Sequence, residues 1–248
     1  MGYRAVIQDL VRKTGYQVVR FPLMRYFQAE DISVVLDVGA NRGQYAQELR
    51  KLGYQGSIIS FEPVDAAFEQ LATVSADDAL WTTVHTALGS SDGEVPINVS
   101  SNTVSSSILE VNSEHQRVVP ESRAVETAVV PVRRLDAVFG NYARPGDRVF
   151  LKIDTQGYEL EVLRGATGVL EAVSGLQLEL SLSTLYEGQP LVEDIIAFLR
   201  DHQFAPVWFL PGFKDPETQR LLQVDGLFLR DTQEIAAAGP ASEEPGLP

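Results

Sequence analysis

Cysteine is absent from all 248 residues. That excludes disulfide frameworks, thiolate nucleophiles and cysteine-ligated zinc, and the expected setting is a reducing one, the cytoplasm. Positive charge is scarce: 20 Lys and Arg stand against 34 Asp and Glu, a net charge of −14. Phosphate backbones select basic footprints, so no nucleic-acid partner is expected, and neither is adsorption to an anionic membrane surface. Long apolar runs are lacking too. No stretch approaches the roughly 18 residues of a membrane-spanning helix. Arg4, Asp9, Arg12 and Lys13 interrupt the first stretch where a secretory signal would need an apolar core. Histidine occurs only as His85, His115 and His202, without metal-ligand spacing.

What the chain does have is 44% hydrophobic residues, enough for a sizeable core. From Val34 onward, apolar strands alternate with helical patterns. Strands are expected at Val34–Asp37, Ser57–Phe61, Trp81–His85, Val125–Val132 and Val149–Ile153, with VPINVS as a further β-like segment. Helices are expected over Gln44–Leu52 and Asp65–Thr73; the first carries Tyr45, Leu49 and Leu52 at helical spacing and ends at Gly53. Another, after Gly157, places Leu160, Leu163 and Leu170 on one stripe. Leu176 to Leu182 alternates as a strand, a helix spans Leu191–Asp201, and strands near Phe204–Leu210 and Gly226–Arg230 close the pattern. Such alternation implies a mostly parallel sheet with helices on both faces. One domain is expected over residues 31–231, with residues 1–30 as an amphipathic helical cap and a disordered tail at 232–248.

Two strand-to-helix turns carry acids. The first is VLDVGANRG, with Asp37 at the strand tip and Gly39 and Gly43 four residues apart. Open α/β sheets bind ligands at these carboxyl ends, and glycine lets the backbone approach closely. The spacing is not the G-x-G-x-x-G of a dinucleotide site, and an acid here suits a cationic ligand without phosphate, such as S-adenosylmethionine. Glu62, at the next strand tip in SFEP, stands where acids accept hydrogen bonds from ribose hydroxyls. The second turn is FLKIDTQGYELEVLRGA, with Lys152 and Asp154.

In order along the chain, DVGANRGQYAQELR, SFEP, TALGSSDG, SSSIL and FLKIDTQGYELEVLRGA, continuing through LELSLSTLYEG and QVDGLFLR, resemble the FkbM family of S-adenosylmethionine-dependent O-methyltransferases. The KID-x-QG-x-E segment is its distinguishing mark. The resemblance covers residues 30 to 231. It implies a Rossmann-like class I methyltransferase fold, a seven-stranded α/β sheet whose last strand is antiparallel. It also implies methylation of a hydroxyl on a small-molecule or glycan acceptor. By matched position, Asp37, Gly39, Asn41 and Gly43 would hold the methionine part of the cofactor, Glu62 the ribose, and Ala87 and Leu88 the adenine.

The residues themselves leave several roles open. Asp154 at the fourth strand tip could take the proton of an attacking hydroxyl or orient it, or pair structurally with Lys152 on the same strand face. Glu159 is either a first-turn acid favoured by the helix dipole or a catalytic group. Lys152 and Glu179 join Asp154 as candidate catalytic residues, Glu179 with a place on the substrate rim, and Ser105, Ser106 and Ser107 are candidates for contacts to acceptor hydroxyls. A magnesium ion on Asp154 and neighbouring carboxylates is left open, since hard cations need only oxygen. A nicotinamide-dependent oxidoreductase and a cofactor-binding protein without turnover are the alternatives. The first lacks its third glycine, and the intact KID-x-QG-x-E argues against the second.

Overall fold

The computed structural model describes residues 23–102 and 105–230. Most of the expected N-terminal cap (residues 1–22) and the expected disordered tail lie outside them. The described part of the cap is a helix, Leu23–Ala29, that buries Leu23 and Phe27.

Ten strands follow: β1 Val34–Val38, β2 Ser57–Phe61, β3 Trp81–Val84, β4 Ala87–Leu88, β5 Gly93–Ser100, β6 Ala124–Arg133, β7 Val149–Ile153, β8 Val173–Ser181, β9 Phe204–Pro211 and β10 Gln223–Arg230. Seven form one sheet in the order β3-β2-β1-β7-β8-β10-β9. Pairing is parallel from β3 to β8, and β10 runs antiparallel to both of its neighbours. This is the mostly parallel sheet with a reversed last strand that the family resemblance implies.

The central strands β1 and β7 are buried at every residue, as expected of parallel strands covered on both faces. Their alternation splits the core in two. Val34, Leu36, Leu151 and Ile153 face one cluster, while Val35 and Phe150 face the other beneath the helices Leu23–Ala29 and Gln44–Lys51. Phe27 meets Phe150 edge to face, with ring centroids 4.8 Å apart. A phenylalanine buried as fully as Phe150 contributes roughly 1.5–3 kcal/mol by leaving water.

A second, three-stranded sheet, β4-β6-β5, was not foreseen as a separate unit. Its strands match segments read as β-like, but pattern alone does not assign them to a sheet. Two helical expectations and one strand expectation change as well. Leu52 follows its helix and is exposed, because the helix ends at Lys51. Leu182 lies one residue beyond β8 and escapes the alternation that buries Leu176, Leu178 and Leu180. The helix after Gly157 is only Glu159–Arg164, and Leu170 reaches the core from a separate 3-10 turn.

The tips of β1 and β7 pack directly on each other. Gly39 has φ +75, and a Cβ built there would lie 1.8 Å from the carbonyl oxygen of Asp154. Asp154 N–H donates to the Val38 carbonyl at 3.0 Å, and the Gly39 and Ala40 N–H groups donate to the Phe61 carbonyl. Gly43 (φ +82) has the same requirement for another reason: its Cβ would meet the Trp81 ring at 2.8 Å and Leu71 at 2.9 Å. Gly39→Ala should therefore cost about 3 kcal/mol or more, combining left-handed strain with backbone overlap. Gly53→Ala, also at positive φ but with nothing within 4 Å, should cost about 1 kcal/mol. Urea unfolding of the two variants checks this, and equal losses would show that contact between the tips is unimportant.

Candidate functional site

A cavity of about 410 Å³ opens at the carboxyl ends of β1, β2 and β7. Its floor is the first turn, Val38 to Asn41, with Gln44 and Tyr45 from the following helix. One wall is Phe61 to Val64 and Thr86 to Leu88, closed by Ile97 of the second sheet and by Ser106, Ser107 and Ile108. The other wall carries Lys152, Asp154, Thr155, Gln156, Gln177 and Asp225.

The sequence-predicted residues divide into those that line this cavity and those that stand behind it. Gly39, Asn41, Glu62, Ala87, Leu88, Lys152 and Asp154 line it. Asp37 is wholly buried behind the floor. It accepts a hydrogen bond from Ser60 at 3.1 Å, whose hydroxyl in turn receives the Trp81 indole N–H at 3.0 Å. Gly43 begins the helix Gln44–Lys51 and packs on Trp81. Glu179 also stands one step back, its Oε2 taking the side-chain N–H groups of Gln156 at 2.8 Å and Gln223 at 2.7 Å.

Lys152 joins the two turns. Its Nζ lies 3.3 Å from Asp37 Oδ1, 3.4 Å from Asp154 Oδ2 and 3.4 Å from the Gly39 carbonyl oxygen, and it sits over the Tyr45 ring at 5.4 Å. Burial opposes its charge, but Asp154 and Asp37 outweigh burial and hold the ammonium above its ordinary range. Burial raises the Asp37 carboxyl, and Lys152 opposes that rise. The ion pair read from sequence between Lys152 and Asp154 is present, with Asp37 as an additional partner. Asp154 keeps 36% of its side chain exposed, on the cavity side.

Glu62 is almost fully buried. Its Oε1 accepts from Val64 N–H at 2.8 Å and its Oε2 from Asn41 N–H at 2.7 Å, which leaves each oxygen further lone-pair capacity toward the cavity. Asn41 reaches this position at φ +48. Burial pushes the Glu62 carboxyl up to about 7, against the two N–H bonds. Glu159 does not enter the cavity. Its Oε1 accepts from the Thr155 N–H at 2.9 Å, the Thr155 hydroxyl at 3.2 Å and the Gly157 N–H at 3.1 Å, so it staples the second turn. Burial raises it to about 7 also.

Sequence reasoning missed Gln156, Gln177, Tyr45 and Asp225 as site residues. Gln156 stood in plain view as part of a Gln-Gly turn. Tyr45 was read as helix packing, yet its hydroxyl donates to Gln177 Oε1 at 3.1 Å. Asp225 reaches the cavity because the reversed β10 places it opposite Glu179. Burial raises its carboxyl to about 6, with Asp154 adding to the rise. Among the serines, Ser107 donates to the Gln156 carbonyl at 2.7 Å, and Ser105 lies off the cavity. The histidines stay outside it: His85 stacks on Phe68, His115 packs edge-on to Tyr186, and His202 bonds the Phe198 carbonyl.

In chemical terms the cavity offers an apolar slot beside a carboxylate open to hydroxyls, and a second carboxylate at its far end. Lys152 is the one Lys or Arg among its lining residues, and it is already bracketed by acids, so among the described lining residues no cation is left over to balance a pyrophosphate. Among the described residues no group of three or more His, Asp or Glu could hold a metal ion. The carboxylate-held magnesium left open by the sequence gains no support from such a group among the described residues. Among the described residues, too, no helix is long and apolar enough to cross a membrane.

Residues 37–206 match the family described as the methyltransferase FkbM domain. The chain is 30% identical over 154 residues to methyltransferase sdnD of Sordaria araneosa, a match covering 53% of this chain and 59% of that protein. It is 26% identical over 187 residues to the hexuronic acid methyltransferase AglP of Haloferax volcanii, covering 72% of this chain and 71% of that one. A solved methyltransferase FkbM from Methylobacillus flagellatus superposes with a TM-score of 0.45 at 15% identity, over 79% of this chain and 44% of that one. The chain thus spans about three fifths of the length of the first of these relatives.

The Glu62 carboxyl carries a pH signature. Its folded-state value of about 7 lies above its ordinary 4.5, so the folded chain holds the proton more tightly than the unfolded chain. Its contribution is then fully present below pH 4.5 and is lost as pH rises through 7. Glu62→Gln should flatten the fall in ligand-free Tm between pH 4.5 and pH 8 relative to the parent chain. Differential scanning calorimetry across that range measures it, and parallel curves for the two proteins would contradict it.

Proposed function

The chain belongs to the FkbM methyltransferase family, and from that premise we propose that it is an S-adenosylmethionine-dependent O-methyltransferase acting on a hydroxyl of a sugar or similar polyhydroxyl acceptor. Residues 31–231 are the methyltransferase domain in this reading. The observation that carries it is the half-open carboxylate of Asp154. It faces the cavity opposite Glu62 and is steadied from behind by Lys152.

The cavity suits this cofactor. Glu62 has capacity left to accept ribose hydroxyls, Ala87 and Leu88 with Ile97 and Ile108 form an apolar slot for a flat ring, and Gly39 and Asn41 border the methionine end. The lone, already paired Lys152 disfavours a dinucleotide and with it the oxidoreductase reading. When bound, S-adenosylmethionine supplies a methyl carbon activated by its sulfonium. The protein's part is alignment, exclusion of water and custody of one proton. Asp154 accepts the hydroxyl proton as the oxygen attacks. Lys152, fixed between Asp37 and Asp154, pairs with that carboxylate and orients it. Asp225 and the neutral amide of Gln177 complete a surface that offers acceptors to hydroxyl protons. A carboxylate acceptor would need no base and would meet Asp154 and Asp225 as like charges, which favours a neutral hydroxyl. The net charge of −14 likewise favours a small or glycan acceptor over a nucleic acid.

Titration calorimetry with S-adenosylmethionine and S-adenosylhomocysteine should show binding of both, and binding of neither would end this reading. Asp154→Asn should leave cofactor affinity nearly intact while lowering glycoside methylation roughly 10²-fold or more, the range for loss of a general base. Unchanged turnover would reduce Asp154 to a structural role. Glu62→Ala should act the other way, weakening cofactor binding above all.

A further inference from the structure

The side chain that holds Asp154 from the front is Gln156, and its carboxamide makes three hydrogen bonds, with both N–H groups used. One N–H donates to Asp154 Oδ1 at 2.8 Å and the other to Glu179 Oε2 at 2.8 Å. Its Oε1 accepts from the Tyr186 hydroxyl at 2.8 Å. The residue pays for this place with a left-handed backbone, φ +56, which a side chain adopts at a cost. Glycine would sit there without strain, and glycine does follow at 157 with φ +96. The chain nevertheless keeps an amide at 156, and Ser107 anchors the backbone by donating to its carbonyl at 2.7 Å.

Tyr186 decides which way round the amide lies. Its ring is wholly buried among Leu185, Leu222 and the edge of His115. Among the described residues the other partner of its hydroxyl is another acceptor, the Ser105 carbonyl at 3.4 Å. Burial raises the phenol far above its ordinary range, so it stays protonated and donates. A flipped amide would turn its oxygen toward two carboxylates and its N–H groups toward a donor.

We propose that Gln156 is the positioning residue for Asp154, setting the carboxylate's rotamer by bridging it to Glu179, and that Tyr186 locks the carboxamide in the bridging orientation. This rests on the reading of Asp154 as proton acceptor. It ties the small apolar cluster around Tyr186, outside the main sheet, to the reacting end of the cavity. The substitutions to compare are Gln156→Gly, which removes the amide while relieving the backbone, Gln156→Glu, which keeps the shape but turns a donor into a like charge, and Tyr186→Phe.

Side-chain amide NMR on the ligand-free full-length chain reads the orientation without any acceptor. The two Gln156 amide protons should resonate apart from those of exposed glutamines, and Tyr186→Phe should shift or average them. Resonances at exposed-glutamine positions, or indifference to Tyr186→Phe, would overturn the proposal. Turnover of methyl hexopyranosides with S-adenosylmethionine gives the second readout. Gln156→Gly and Gln156→Glu should lower kcat about tenfold to 10²-fold, the scale of a misplaced catalytic group, with donor affinity unchanged. Tyr186→Phe should lower kcat in the parent chain but add nothing in the Gln156→Gly background. A full Tyr186→Phe effect in that background would remove Tyr186 from the chain of action. Donor binding without methylation of any glycoside would instead overturn the proton-acceptor reading, while the amide spectrum still decides the orientation.

Discussion

Everything at the ligand end of the sheet depends on one close approach, between the tips of β1 and β7. Gly39 has no side chain, and the Asp154 carbonyl occupies the space a Cβ would take. With the backbones that close, the single ammonium of Lys152 reaches Asp37 on one strand and Asp154 on the other. That one ammonium then offsets the acids on either side in part, in a crevice where an unpaired charge would be costly. Asp37 spends its charge on this arrangement. It shapes the site through Lys152 and the floor of the cavity.

The fold was legible because its signals are local and repeated. β2 and β7 have their predicted bounds, and β1 runs one residue past its own, since strands buried on both faces read as unbroken apolar runs. Ends were less legible. Leu52 and Leu182 continue their patterns by one residue, but a helix or strand stops where backbone partners run out, and sequence periodicity does not report that. The second sheet escaped for a related reason: β4 is two residues long, and its pairing with β6 joins segments far apart in the chain.

Within the candidate site, glycines and strand-tip acids were legible and amides were not. An acid at a strand end carries a chemical reason to be there. A glutamine is an ordinary turn or strand residue until its partners are known, and those of Gln156 come from β8 and from Tyr186. Similarly, Glu62 and Glu159 look alike in sequence as acids near turns. Burial treats both alike as well, raising each to about 7, yet one faces the cavity and the other is spent on backbone N–H groups. Only the direction each carboxylate faces separates the acid that lines the cavity from the one that does not.

The reversal of β10 has a consequence in time. Because that strand starts at the cavity end and runs away from it, its first residues, Gln223 and Asp225, meet the last residues of β8 and bring Asp225 to the cavity. The site therefore draws on both ends of the sheet's chain order, from Gly39 in the first strand turn to Asp225 in the last strand. During synthesis, a nascent chain can pair β1 with β2 early, but it cannot complete the cavity until the final strand has left the ribosome and docked. Any ligand that stabilises the finished cavity can act only on the full-length sheet, and so favours the last step of folding over the first.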